Sequence, residues 1–526
     1  MKDNNKIGSE LRADLVIIGG GTGGCAAALA ACRTGKTVVM TEETEWIGGQ
    51  LTSQAVPPDE HRWIEARGCT RSYRAFREGV RSYYRTRFPL TADARLNPLL
   101  NPGSAIVSPI SHEPRAALAV LLEMLAPYIH SGRLIILYHT RIESAETDGD
   151  AVRAVAVVDT GSGERTVLTA PYMLDATDCG DVLPLAGIEY VTGAESKRDT
   201  GEAHAVDGPA RPMDMQAFTY CYVLDYWNGE DHTIDKPKDY AFWRSYKADF
   251  WPNELLNWTG VRPDTLEPRQ YALFRGQGLF PLWEYRRIVD ARLFEPGTFG
   301  SDMTVVNWPQ NDYWLGSVID VPEKERQRHL EGAKQLSLSL LYWMQTEAPR
   351  PDGGIGYPGL RHRRDAVGTK DGLAMSPYIR ESRRIRAAFT VLEQHVSAAE
   401  HPDGRAELFR DAVGIGSYPI DLHPSSGNRP YIDVPSLPFQ IPLGSLIPIR
   451  MQNVIPACKN IGTTHITNGC YRLHPVEWNI GESAGLLVSY CLDQGCKPRD
   501  VYEQAEMLED FQSRLVAQGI ELAWPE

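Results

Sequence analysis

A glycine-rich turn between an apolar run and an alanine-rich segment constrains this chain more than any other feature of its sequence. The apolar run, residues 13–18, predicts a short buried strand, and the alanine-rich segment predicts a helix over about residues 23–33. A second apolar run, residues 37–41, predicts another buried strand. Strand, turn, helix and strand form a βαβ unit. We therefore predict an α/β fold.

The glycines of this turn have the spacing GxGxxG, with Gly19, Gly21 and Gly24 at the three glycine positions. In that motif the first glycine permits a tight turn, the second lets a diphosphate approach the backbone, and the third lets the helix pack closely. The helix then begins around Thr22 and Gly23, where free N–H groups favour an anion. The spacing predicts that these five residues bind a dinucleotide. The alternative is a glycine-rich turn that binds nothing.

An acidic residue, Glu42, stands at the end of the second predicted strand. A carboxylate at this position accepts hydrogen bonds from the ribose hydroxyls of adenosine and repels a 2′-phosphate. Glu42 therefore favours FAD or NAD over NADP.

Composition restricts the class of protein. The chain has 526 residues, of which 42% are hydrophobic and 23% charged, as in ordinary globular enzymes of two or three domains. Its formal net charge of -14 argues against a nucleic-acid partner, because phosphate backbones are bound by clustered Lys and Arg.

Cysteine usage and hydropathy suggest a location. The nine cysteines form no CxxC pair, so we expect neither a metal site nor a redox dithiol, but reduced thiols and a cytoplasmic setting. The polar first twelve residues do not resemble a signal peptide. No apolar stretch reaches the ~18 residues of a membrane span, so we expect no membrane partner.

Three further segments resemble, in chain order, signatures of the glutathione-reductase-like flavoprotein superfamily: residues 46–53 (WIGGQLTS), 172–178 (YMLDATD) and 479–485 (NIGESAG). The resemblance implies that the cofactor is FAD. It also implies that the first segment lines the diphosphate, that the second closes near the cofactor, and that the third opens a helix aimed at the flavin. Asp178 stands where the superfamily has glycine. The residues assigned to FAD by this resemblance are Gly48, Gly49, Gln50, Leu51, Thr52, Ala176, Thr177, Gly481, Glu482 and Ala484.

Other elements are predicted around these segments. Residues 133–139 and 152–159 are two β-like runs, which we predict to be a hairpin with its turn at residues 148–150. Residues 446–458 predict a strand region, and the last helix is predicted from residue 479 to about residue 493.

Four sequence motifs make the family resemblance more specific. They are GGQLTS (48–53), YIRESRRI (378–385), VGIGSYPIDLHP (413–424) and CYRLHPVEWNIGESAG (470–485). They resemble the FAD-dependent oxidoreductase family, some of whose members are labelled xanthan lyase. The resemblance covers most of the chain and implies a cofactor and a reaction class, but no substrate.

The expected architecture is a Rossmann-like, glutathione-reductase-like FAD-binding domain with an inserted α+β substrate domain. The FAD domain is predicted to be discontinuous, formed by residues 1–60, 110–190 and 440–526. Residues 61–109 are predicted to form a helical cap, and residues 191–439 the substrate domain. No second GxGxxG follows a strand, so we expect electrons to pass to dioxygen or a carrier rather than to a bound nicotinamide.

The candidate catalytic residues are His474, Arg383 and His61. His474 precedes the helix expected to face the flavin, and an imidazole transfers protons near neutral pH. Arg383 is suited to clamping a carboxylate or a flavin carbonyl, and His61 follows the segment at residues 46–53. The alternatives are two structural histidines and a structural ion pair between Arg383 and Glu381. Residues 307–313 (NWPQNDY) combine aromatic faces with amides, as polyol sites often do.

The predicted function is a dehydrogenase or oxidase that transfers hydride from a small polar metabolite, such as a sugar derivative, to flavin N5. Two alternatives remain open. One is a flavin monooxygenase, and the other is a carbohydrate lyase or binding protein with structural FAD.

Overall fold

The computed structural model describes residues 7–276 and 278–525. The strands, in chain order, are β1 (Ile7–Arg12), β2 (Leu15–Ile18), β3 (Val38–Thr41), β4 (Leu134–Leu137), β5 (Thr140–Asp148), β6 (Ala151–Asp159), β7 (Arg165–Thr169), β8 (Tyr172–Asp175), β9 (Tyr190–Val191), β10 (Tyr222–Tyr226), β11 (Thr259–Val261), β12 (Pro268–Ala272), β13 (Phe280–Pro281), β14 (Arg287–Val289), β15 (Met303–Val306), β16 (Leu360–His362), β17 (Arg384–Ile385), β18 (Ala412–Gly416), β19 (Ile420–Leu422), β20 (Ile432–Val434), β21 (Phe439–Pro442) and β22 (Val454–Pro456).

The α-helices, in the same order, are α1 (Thr22–Arg33), α2 (Arg71–Arg87), α3 (Ala92–Leu96), α4 (Pro114–His130), α5 (Val182–Leu185), α6 (Lys197–Thr200), α7 (Tyr240–Ser245), α8 (Leu282–Tyr285), α9 (Glu323–Thr346), α10 (Arg364–Val367), α11 (Glu393–Val396), α12 (His465–Tyr471), α13 (His474–Gln494), α14 (Pro498–Glu503) and α15 (Ala505–Gln518). Within the described residues, none of these helices combines the length and the apolar character needed to cross a membrane.

A parallel sheet with the strand order β22-β8-β2-β3-β4 organises one part of the molecule. Its strands β2 and β3 are buried along their whole length, because one face of the sheet packs on helix α1 and the other packs on strands β6 and β7. The predicted α/β class and the first βαβ unit, β2-α1-β3, are confirmed. Strand β2 lies at the centre of the sheet. Because the glycine turn follows the carboxyl end of β2, the turn lies at the middle of the sheet's carboxyl edge.

The predicted hairpin is wrong in one strand. The run at residues 133–139 contains β4, which pairs in parallel with β3 and is reached through the crossover helix α4. The hairpin is formed by β5 and β6, with Gly149 in its turn at φ 57°. Strand β5 is mostly exposed, and its many polar side chains conceal the alternation that marks a strand.

The last long helix begins earlier than predicted. Helix α13 starts at His474 rather than at residue 479, with Pro475 in its first turn, where proline favours a helix start. It ends at the predicted place, with Gly495 as a left-handed cap. Upstream, the predicted strand region at residues 446–458 contains only the short strand β22.

Helix α2 lies in the region predicted to be a helical cap. Its N-terminus is capped by Thr70, whose side-chain oxygen accepts the backbone N–H of Tyr73 at 3.1 Å. Its apolar face, which includes Phe76 and Tyr84, packs into the same core as the parallel sheet. Burial of this face holds α2 against the sheet-bearing part of the chain.

The buried residues of a second hydrophobic core all lie between 215 and 431 among the described residues, and the partly buried Cys179 packs against them. This core contains the buried side of α9 and strands of a separate sheet with the order β14-β15-β10-β16, in which every pairing is antiparallel. Aromatic side chains such as Trp251, Trp308 and Tyr313 make up much of it.

Candidate functional site

The glycine turn after β2 is shaped by close backbone contacts. Gly19 has φ +101°, and a Cβ at this position would lie 2.4 Å from the carbonyl oxygen of Ala176. A Cβ at Gly24 would lie 2.1 Å from the Gly19 oxygen, so helix α1 packs directly on the turn. At Gly21, by contrast, the nearest atom would be the Ala176 oxygen at 3.5 Å, an ordinary contact. Protein packing therefore requires glycine at positions 19 and 24, whereas Gly21 faces open space.

That space belongs to a cleft of about 770 Å³, part of it open to solvent. The cleft is lined by segments far apart in the chain, all meeting at the carboxyl edge of the parallel sheet. They include Gly19, Gly20, Gly21, Glu42, Gly49, Ser53, Thr140, Ala176, Thr177, Asp178, Ser376 and Pro377. Crevices at this edge, where strand order reverses, are the usual ligand sites of open α/β sheets.

Glu42 lies where the sequence predicted, at the end of β3 beside the glycine turn. Its Oε1 accepts hydrogen bonds from the backbone N–H of Thr44 at 2.8 Å and from the Thr44 hydroxyl at 2.7 Å. Its Oε2 lies 2.9 Å from the point that a Cβ at Gly20 would occupy. Burial raises the pKa of Glu42 to about 7, against the lowering effect of Thr44. Hydrogen bonds donated by ribose hydroxyls would stabilise the ionised carboxylate of Glu42 and so counteract the effect of burial on its pKa.

The segment from Gly48 to Thr52 folds back onto the glycine turn. The Gly48 N–H donates to the Gly20 oxygen at 2.7 Å, and the Thr22 hydroxyl donates to the Gly48 oxygen at 2.9 Å. Gly48 and Gly49 have φ values of 109° and 52°, which favour glycine. Gln50 and Leu51 continue the segment as a short 3₁₀ turn. The structure thus brings the predicted segment 46–53 against the glycine turn.

The segment after β8 closes the other wall of the cleft. The Thr177 hydroxyl and N–H both donate to Asp175 Oδ1, at 2.7 and 3.0 Å. Asp178 does not have a positive φ, and the positive φ of this turn, 66°, occurs at Gly180. Asp178 instead uses its side chain, accepting from Gln54 Nε2 at 2.6 Å.

A buried lysine beside the cleft is not marked by any sequence motif. Lys459 Nζ lies 2.6 Å from Asp178 Oδ1 and 3.9 Å from Glu477 Oε2. Burial lowers the pKa of Lys459, but Asp178 and Glu477 outweigh that effect, and the net pKa is raised. The ammonium is therefore a permanent charge near the N-terminus of α1, where Gly23 N–H donates to Glu477 Oε1 at 3.4 Å.

The remaining cofactor candidates lie inside α13 and do not line the cleft. Gly481 packs against α1, since a Cβ there would lie 2.0 Å from the Gly23 oxygen. Glu482 forms an ion pair with Arg33 at 2.9 Å, and Ala484 is fully buried. These three residues hold α13 against α1. The first turn of α13 begins at His474, five residues before the predicted start.

His474 is completely buried. Its Nδ1 accepts the backbone N–H of Asp59 at 3.1 Å, and its Nε2 donates to the Val56 oxygen at 3.2 Å. Burial lowers the pKa of His474 to about 4, so the ring is neutral at neutral pH. Both nitrogens are engaged by the main chain, so neither can take a substrate proton without losing a hydrogen bond.

His61 and Arg383 are also held by the protein. His61 Nδ1 accepts from the Trp63 N–H at 3.2 Å, and Nε2 lies 3.0 Å from the Gly68 oxygen. Arg383 pairs with Asp181 at 3.0 Å and Asp320 at 2.9 Å rather than with Glu381. Asp181 lines the cleft, so Arg383 lies at its rim. Among residues 7–276 and 278–525, no group of three or more His, Cys, Asp or Glu is placed to hold a metal ion.

Comparison with known proteins assigns a family to this arrangement. The family described as FAD dependent oxidoreductase matches residues 14–515. No curated protein matches the chain. The residues fit such a cofactor, since a glycine-lined cradle at a helix N-terminus and the carboxylate of Glu42 meet in one cleft, and the buried ammonium of Lys459 pairs with Asp178 of the cleft wall.

Similarity to solved structures is weak. A geranylgeranyl bacteriochlorophyll reductase-like protein from Thermoplasma acidophilum is 10% identical, with a TM-score of 0.32 and coverage of 97% of this chain and 85% of that one. An anhydrotetracycline hydroxylase from Streptomyces rimosus is 12% identical, with a TM-score of 0.33 and coverage of 96% and 66%. A glycerol-3-phosphate dehydrogenase from Bacillus halodurans, complexed with FAD, is 14% identical, with a TM-score of 0.24 and coverage of 41% and 40%. The match spans only 24% of an L-proline dehydrogenase from P. horikoshii, at 16% identity, a TM-score of 0.19 and coverage of 35% of this chain.

Proposed function

Because this chain belongs to the FAD dependent oxidoreductase family and binds FAD, we propose that it is a dehydrogenase or oxidase acting on a small polar metabolite. The hydride acceptor is N5 of the flavin, and the metabolite class includes sugar derivatives. The observation that carries the proposal is the single cleft in which the glycine turn, Glu42, Gly49 and Ala176 meet.

FAD, when bound, would supply the acceptor for a hydride, which carries two electrons. The protein's own part is to hold the cofactor and manage charge. The N-terminus of α1 and the ammonium of Lys459 are placed to balance a diphosphate, and Glu42 is placed to accept ribose hydroxyls. The segment Gly48–Thr52 then leads to Ser53, whose oxygen accepts the N–H of Ser376 at 3.2 Å. We place the flavin beside these serines.

We also propose the finer architecture. All five strands of the parallel sheet come from residues 1–60, 110–190 and 440–526, which supports a discontinuous, glutathione-reductase-like Rossmann domain. The separate core between residues 215 and 431 supports a substrate domain within residues 191–439.

The proposed partners are a small-molecule substrate and an electron acceptor, either dioxygen or a carrier. A bound nicotinamide is not proposed, because no second GxGxxG follows a strand in the sequence.

The test is spectroscopic. Purified protein should be yellow, with an absorbance band at about 450 nm that a substrate bleaches under anaerobic conditions. Protein that stays colourless after incubation with FAD would refute the proposal. Rapid consumption of NADPH together with oxygen would instead identify a monooxygenase, and polysaccharide cleavage that survives FAD removal would identify a lyase.

A further inference from the structure

A cluster of polar and aromatic side chains surrounds the residue that follows Ser376 and Pro377 of the cleft wall. Ser376 and Pro377 line the cleft, and the next residue, Tyr378, is buried. The Tyr378 hydroxyl accepts from Arg472 Nη1 at 2.8 Å, and the guanidinium carbon of Arg380 lies 4.8 Å from the centre of the Tyr378 ring. Two buried arginines, Arg380 and Arg472, therefore contact the residue next to the cleft wall.

Arg380 and Arg472 each hold a carboxylate, and the two carboxylates flank one histidine. Arg380 lies 2.9 Å from Asp312, and Arg472 lies 3.1 Å from Asp421. His423 Nδ1 is 2.6 Å from Asp312 Oδ2, and His423 Nε2 is 3.7 Å from Asp421 Oδ2. The imidazole is thus set between two acids that are each paired with an arginine.

Asp312 is built to orient that imidazole. It is fully buried, and its Oδ1 accepts from the Thr219 hydroxyl at 2.7 Å. Its Oδ2 accepts from the Tyr431 hydroxyl at 3.3 Å as well as from His423. Burial raises its pKa, but Arg380 and His423 outweigh burial and hold the pKa at about 2. An ionised Asp312 accepts a hydrogen bond from the Nδ1–H of His423, which fixes the orientation of the ring and directs Nε2 toward Asp421.

His423 is partly accessible, unlike the two histidines and the arginine predicted from the sequence, which are buried. Its side chain is 21% exposed, as is that of Asp421, whereas Asp312 is at 0%. Tyr431 packs on one side of the ring, with centroids 5.4 Å apart.

We propose that His423, oriented by Asp312, is the catalytic residue that accepts the proton of a substrate hydroxyl. The inference rests on the proposed function. In the balanced step, the O–H proton moves to His423 Nε2, the C–H hydride leaves with its electron pair to FAD, and the C–O bond becomes a carbonyl. One alcohol is oxidised and one FAD is reduced. Asp421 then lies beside the imidazolium and stabilises it.

The charged side chains around His423 indicate the substrate class. Three arginines, Arg286, Arg380 and Arg472, are matched by Asp312, Asp421 and Asp59, the last 3.0 Å from Arg286. The site is therefore charge-balanced and does not call for an anionic ligand. The Nε–H of each of these three buried arginines has no hydrogen-bond acceptor among the described residues. Donors without acceptors, next to tyrosine faces, suit a neutral polyhydroxylated ligand such as a sugar or sugar alcohol.

The experiment uses the FAD-loaded enzyme under anaerobic conditions. D-glucose, methyl glucoside and D-glucitol are compared with D-glucuronate, and flavin bleaching is followed at about 450 nm by stopped flow. We expect a neutral probe to bleach the flavin faster than the uronate. His423→Asn should slow bleaching by about 10²–10⁴-fold while changing probe affinity little, since it removes a general base. Added imidazole should restore part of the rate to His423→Ala.

The matched control is His232→Gln. His232 is a histidine of similar exposure, 26%, paired with a carboxylate, Glu230, at 2.7 Å. This variant should bleach at the wild-type rate.

A measurement without turnover completes the test. Dithionite-reduced holoenzyme is treated with diethyl pyrocarbonate, and the modified histidines are mapped by mass spectrometry. A bound neutral probe should protect His423 but not His232.

The outcomes separate the two proposals. A protein that binds no FAD refutes the proposed function. Bleaching by a neutral probe that persists in His423→Asn leaves the proposed function intact and overturns the role of His423. Bleaching by the uronate alone, or by none of the probes, overturns the substrate class, as does equal modification of His423 with and without the neutral probe.

Discussion

Gly481 of α13 lies against Gly23 of α1 so closely that a Cβ at position 481 would be 2.0 Å from the Gly23 oxygen. The two residues are separated by most of the chain, yet this contact joins the last long helix to the glycine turn. The pairing packs the middle of α13 against the first turn of α1, directly behind the glycine turn.

Gly481→Ala should therefore separate the two helices. We expect a loss of about 1–3 kcal/mol in the free energy of unfolding, as for other overpacked cores, together with weaker FAD binding. Urea denaturation and FAD titration measure the two effects. Gln494→Ala, at the exposed end of the same helix, is the control and should change stability by less than about 0.5 kcal/mol. Wild-type stability in Gly481→Ala would contradict the close contact.

Two glycines of the turn should respond differently to alanine. At Gly21 the new Cβ would make only an ordinary contact at 3.5 Å, so the apo-protein should keep its stability while the methyl group enters the cleft and lowers FAD affinity at least about tenfold. At Gly19 the φ of +101° and a 2.4 Å clash should destabilise the protein itself by about 1–3 kcal/mol. Calorimetric FAD titration and thermal unfolding separate the two cases. Equal FAD affinity in Gly21→Ala and wild type would argue against a diphosphate at this turn.

Glu42 should make the stability of the FAD-free protein depend on pH. Its pKa is raised by burial from 4.5 to about 7, so the folded state holds the proton more tightly than the unfolded state. This contribution is complete below pH 4.5 and is lost as pH rises to about 7. Glu42→Gln should therefore be more stable than wild type at pH 8, by up to about 3 kcal/mol, and lose that advantage near pH 4. Denaturant titrations at the two pH values measure it.

The same variant should bind FAD more weakly at pH 8, because it cannot accept ribose hydroxyls as an anion. A variant with tighter FAD binding would contradict the assigned role of Glu42.

Lys459 should matter for both folding and cofactor binding. Lys459→Met leaves Asp178 and Glu477 without their cation, and removing one partner of a buried pair costs about 3–5 kcal/mol. The double variant Lys459→Met, Asp178→Asn should recover much of that stability but not the FAD affinity, since the positive charge is still missing. Denaturation and FAD titration are measured for both.

Lys334→Met is the matched control, because Lys334 forms an exposed pair with Asp371 at 2.8 Å. Its effect should stay below about 1 kcal/mol. If the double variant regained wild-type FAD affinity, Lys459 would have no electrostatic role toward the diphosphate.

Elements defined by nearby residues were predicted well. The strand β2, the glycine turn and helix α1 lie within twenty residues, and their apolar and glycine spacing determines them locally. Helix α2 was also recognised from a single segment. The hairpin prediction is wrong because β4 pairs with β3, from which the crossover helix α4 separates it in the chain. The sequence of a short apolar strand does not indicate which strand it will pair with.

The βαβ unit, the glycine cradle and the acidic residue after β3 can be predicted from local sequence, because backbone conformation and burial at these positions depend on residues close in the chain. Which side chains meet at the site depends instead on long-range packing. Lys459 reaches Asp178 across 281 residues, and His423 reaches Asp312 across 111. Hydrogen bonds between side chains impose no periodicity on the sequence, so such pairs are set by the packing of distant elements and cannot be inferred from spacing.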